Sequence, residues 1–65
     1  MTLVHAYRAL EQVEMMERHM LLVVGLAEAS RDRAESARLL RIANEIRQEA
    51  RAVADRAARA VMAAQ

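Results

Sequence analysis

From Leu39 to Ala64, apolar residues recur at alternating spacings of four and three: Leu39, Ala43, Ile46, Ala50, Val53, Ala57, Ala60 and Ala64. At 3.6 residues per turn, an α-helix lines such residues up on one side. A strict seven-residue repeat is, moreover, the mark of a helix packed lengthwise against another helix. Much of this seam is alanine, which lets backbones approach closely while burying little apolar area per residue. Ile42 and Val61 widen it. The opposite side carries Arg38, Arg41, Glu45, Gln48, Asp55, Arg56 and Arg59, with Arg41–Glu45 and Asp55–Arg59 spaced for i,i+4 pairing.

A seam needs a partner, and the first half of the chain supplies one. Thr2 is placed to cap a helix whose stripe runs Leu3, Ala6, Leu10, Val13, Met16, Met20, Val23 or Val24, and Ala27, with Tyr7 beside it. Arg8–Glu11 and Glu14–Arg18 add i,i+3 and i,i+4 pairs. A second, weaker stripe lies away from the first: at about 100° per residue, Val4, Met15, Leu22 and Leu26 fall close together. The most apolar stretch of the chain, Met20 to Ala27, is divided between the two. Met20, Val23, Val24 and Ala27 belong to the main stripe, Leu22 and Leu26 to the second, and Leu21 to the margin.

Between Glu28 and Arg33 the periodicity breaks. Ser30 and Asp32 both suit an N-cap, and Asp32-Arg33-Ala34-Glu35 reads as a capping box. Gly25 is early for a C-cap and fits the last turn or a close approach of backbones. The expected architecture is an all-α antiparallel helical hairpin forming one domain over residues 1–65. Helix 1 spans about 2–28, the turn about 29–32 and helix 2 about 33–63. No proline forces the turn, and the alternative is one continuous helix of about 97 Å, viable only in an extended coiled coil.

Size then decides how such a hairpin is stabilised. Chains of 65 residues hold a small core, and this one has no Cys for disulfides or thiolate zinc sites. Oligomerisation is the remaining route. Two hairpins pairing as a homodimer would make a four-helix bundle and cover what each leaves exposed. The longest apolar run is far short of the roughly 20 residues of a membrane span. With no secretory leader visible either, the chain reads as cytoplasmic and not membrane-bound. All ten basic residues are Arg, and the net charge is +1. The Arg bias fits GC-rich coding and a bacterial or phage origin, or a use for planar multidentate donors.

Chemistry is sparse. His5 and His19 lie fourteen residues apart, about 21 Å along a helix, too far to share one ion. Glu14-Met15-Met16-Glu17 has Glu where a carboxylate-bridged metal motif requires His. No hydroxyl has a histidine at useful spacing, and no glycine-rich loop cradles a phosphate. Neither catalysis, nor a metal, nor a cofactor is expected.

Two binding functions remain. The first is a protein-binding regulator (inhibitor, anti-activator or adaptor) using Val4, Met15, Leu22 and Leu26, with Arg8 and Glu11 setting register. Clustered methionines such as Met15, Met16 and Met20 suit an adaptable apolar interface with a larger protein. The same stripe would serve equally as a dimer contact. The second is nucleic-acid binding. Residues 30–65 hold eight Arg against five acids, while residues 1–29 carry a net −2. A hairpin dimer of this size resembles, in architecture though not in any motif, the Rop family of RNA-binding four-helix bundles. A helix face carrying Arg38, Arg41, Arg56 and Arg59 could follow a phosphate backbone. Interleaved acids and a single aromatic, Tyr7, weigh against it. A bare oligomerisation element is a third reading.

Overall fold

The computed structural model describes residues 2–65, which form two packed helices: α1, Leu3–Ala29, and α2, Arg33–Ala63. The chain turns within three residues, so the helices lie antiparallel in a hairpin with extents of 50 × 14 × 11 Å. The single continuous helix is thereby excluded.

Each end of the turn is held by short-range hydrogen bonds. Asp32 is the N-cap of α2, its Oδ1 accepting from the backbone N–H of Ala34 at 2.9 Å and of Glu35 at 3.4 Å. The capping box is only half closed. The Asp32 N–H donates to Ser30 Oγ at 3.3 Å, and the Glu35 carboxylate turns away to Arg38. Ser36 contributes a bond that spans the turn, its Oγ donating to the Ala27 carbonyl at 2.9 Å. That carbonyl, in the last turn of α1, also accepts from the N–H of the C-cap Ser30 at 3.3 Å. At the far end Thr2 caps α1, accepting from the His5 N–H at 3.2 Å.

The core is a seam of small residues. Its buried side chains are Ala6, Val13, Val23 and Ala27 on α1 and Ala43, Ala50 and Ala57 on α2. On α2 they stand seven apart, and on α1 Ala6, Val13 and Ala27 keep the same register with half-buried Met20 between. The larger seam residues, Leu39, Ile46 and Val53, are only half-buried, because one neighbouring helix covers one side of each. Among the described residues no side chain of large volume is fully enclosed.

Several local expectations are revised. Leu3, at the start of the main stripe, is exposed. Tyr7, beside the stripe, is exposed. Ala64, the last seam position, lies beyond α2 as its exposed C-cap. Gly25 makes no close approach: a Cβ built there meets nothing within 4 Å. Among the described residues the ion pair within 4 Å is Glu35–Arg38, at 2.6 Å. The pairs expected for Arg41–Glu45 and Asp55–Arg59 are open, Arg59 Nε donating instead to the Asp55 backbone carbonyl at 3.3 Å. Such exposed pairs contribute little, so side-chain entropy readily keeps them apart.

Candidate protein-binding interface

Helix α1 positions its second stripe by phase alone. Because Val23 and Ala27 face α2, the residues about 100° round the helix from them face outward. Val4, Met15, Leu22 and Leu26 are accordingly 58, 69, 70 and 61% exposed. They do not make one compact patch. At 1.5 Å per residue Met15, Leu22 and Leu26 span about 16 Å, and Val4 stands a further 16 Å or so towards the N-terminus. Arg8 shares the row of Met15 and Leu22, and Glu11 that of Val4, all exposed and in the gap between or beside the apolar residues. The apolar part of the candidate surface is therefore the strip Met15–Leu22–Leu26.

A second surface was not singled out by the sequence. On another flank of the hairpin a groove of about 370 Å³ runs between the helices, lined by Met16, Glu17, Met20 and Leu21 from α1 and Arg47, Ala50, Arg51 and Ala54 from α2. It continues towards the turn over Met20, Val24, Leu40 and Ala43. Leu21 and Leu40, on its rims, are 63 and 48% exposed. A signal for it did exist. Leu10, Glu17 and Val24 form a seven-residue row on α1, and Leu40, Arg47 and Ala54 form another on α2, each beside the main seam.

The arginine side of α2 is more committed than its composition suggests. Arg38, Arg41, Arg56 and Arg59 are all exposed. Arg38, however, grips Glu35 through Nη2 at 2.6 Å and Nε at 3.3 Å. That hydrogen bond, with the carboxylate's charge, raises the guanidinium pKa above its usual value. Arg59 is tied to the backbone. Two of the four guanidinia thus already spend donors within their own helix.

Among the described residues no three His, Asp or Glu side chains converge to hold a metal, and no helix is long and apolar enough to cross a membrane. His5 and His19 are both exposed. Comparison with protein-family models, with curated proteins and with solved structures gives no match.

Proposed function

We propose that this chain is a small non-catalytic regulator that binds another protein through the outer side of α1 and works as a homodimer of hairpins. The observation that carries the reading is the exposed strip Met15–Leu22–Leu26. Aligned apolar side chains on a helix facing water are the usual mark of an interaction site, whereas scattered ones are not. A partner helix or groove reads such a strip through anchors spaced three, four and seven apart.

The area left uncovered supports the dimer. The accessible surface is 5247 Å², about 1,000 Å² more than the roughly 4,200 Å² of a compact monomer of this mass. A standard interface removes about 800 Å² from each partner. Pairing two hairpins as a four-helix bundle would absorb an excess of that size.

The test is affinity capture by the intact chain with and without nuclease, set against two double variants. Met15→Glu with Leu22→Glu should abolish capture of the protein partner, because two buried charges oppose the contact. Arg38→Glu with Arg41→Glu should leave it unchanged. Loss in the arginine variant alone, with steep salt dependence and nuclease sensitivity, would replace this reading by nucleic-acid binding.

A further inference from the structure

The groove and the outer strip are distinct surfaces, and they differ in what they can accept. The outer strip belongs to α1 alone: beside it α2 keeps Ile42, Ile46 and Val53 half-buried close to the seam and turns Arg38, Glu45, Glu49 and Arg56 outward. Along the groove both helices contribute apolar residues: Met20, Leu21 and Val24 from α1, Leu40 and Ala54 from α2. A surface apolar on both helices suits a second hairpin, whose two helices would lie over these two.

Charge then restricts how the second copy sits. The rim of the groove on α1 is acidic, with Glu17 lining it, and the rim on α2 is basic, with Arg47 and Arg51. Among the described residues neither Glu17 nor these arginines has an opposite charge within 4 Å; Arg47 Nη2 instead donates to Asn44 Oδ1 at 2.6 Å. All three sit near the middle of their helices. A two-fold axis perpendicular to the helices, placing α1 on the partner's α1, would set Glu17 against its own copy and Arg47 against its own. Like charges facing across an interface are unfavourable. A two-fold axis parallel to the helices places α1 on the partner's α2 and keeps every residue at its own height. Glu17 then meets the partner's arginines, while Val24 meets the partner's Leu40.

We infer that the groove is the homodimer interface, with α1 of one protomer packed antiparallel on α2 of its partner about an axis along the bundle. The strip Met15–Leu22–Leu26 stays outside the dimer, facing opposite ways on the two protomers. This inference rests on the dimer proposed above and adds its face and orientation.

Single-cysteine chains read the arrangement directly, because the protein has no Cys of its own. Each chain carries one thiol, so any disulfide joins two molecules. Under mild oxidation, a mixture of Val24→Cys and Leu40→Cys chains should give the mixed disulfide dimer as the main product. A mixture of Val24→Cys and Leu10→Cys should not. Preferential cross-linking of the second mixture would overturn the orientation, since it places α1 on the partner's α1. Sedimentation of the full chain gives the independent readout. Glu17→Arg should weaken the dimer by about tenfold or more, and adding Arg47→Glu and Arg51→Glu should restore it. Met15→Glu with Leu22→Glu should leave the dimer mass unchanged. A monomer from that variant, still helical by circular dichroism, would move the interface to the outer strip and overturn the inference. If the unaltered chain sediments as a monomer, the dimer itself is wrong. A dimer with the wrong cross-links removes only the arrangement.

Discussion

Two single residues act in ways that their chemistry explains and their sequence context conceals. Ser36 lies one turn into α2, where a serine is normally a neutral surface choice, yet its hydroxyl satisfies the Ala27 carbonyl of the other helix. Ser36→Ala removes this donor and leaves the Ala27 carbonyl with the longer bond from the Ser30 backbone N–H, at 3.3 Å. The expected loss is about 1 kcal/mol, of the size of a typical net hydrogen bond. A thermal melt should fall by about 4–8 °C for each kcal/mol in a domain of this size. Gly25 works in the other direction. It occupies an exposed helical position with open space where a methyl would go. Gly25→Ala should therefore stabilise the helix by about 0.8–1.0 kcal/mol, and an unchanged or lower melting temperature would refute that.

At the scale of the elements, the two helices divide their roles unequally. Helix α2 has a regular small-residue seam and a charged outer side, so its orientation is fixed by a single clear amphipathic pattern. Helix α1 is apolar on several sides near its C-terminal end, so burial against α2 leaves Leu21, Leu22 and Leu26 in water. The spacing between the helices depends on the alanines at 43, 50 and 57. Enlarging one should wedge them apart: Ala50→Leu is expected to destabilise the hairpin by about 1–3 kcal/mol. Ala52→Leu, at an exposed position of the same helix, should stay within about 0.5 kcal/mol of the parent. Chemical denaturation of the two variants side by side gives the comparison, and equal effects would mean the seam is not tightly packed.

The whole molecule is a long, thin object with a Cα radius of gyration of 14.8 Å, against about 11 Å for a compact domain of this length. A ribbon two helices wide has no interior beyond the contact line, which is why its core is alanine and valine and most of its leucines are exposed. Stability drawn from a second copy follows mass action, so the melting temperature should rise with protein concentration. A melt independent of concentration across about a hundredfold range would show that the hairpin is stable alone.

What the sequence determined by itself was the periodic part of the problem. The 3–4 spacing placed both helices, Asp32 and Ser30 located the turn, and Thr2 marked the start, because capping and helical phase are local properties of a few neighbouring residues. The outward position of Val4, Met15, Leu22 and Leu26 was equally legible, since phase puts them away from the main stripe whatever packs on it. Tertiary structure decided what depends on the distance and height of the other helix. It converted Ser36 into a bridge across the turn. It also brought Leu21 and Val24 beside Leu40 along one groove with Glu17 opposite Arg47. Those juxtapositions join residues far apart in the chain, and no local pattern encodes how closely an alanine seam lets two helices approach.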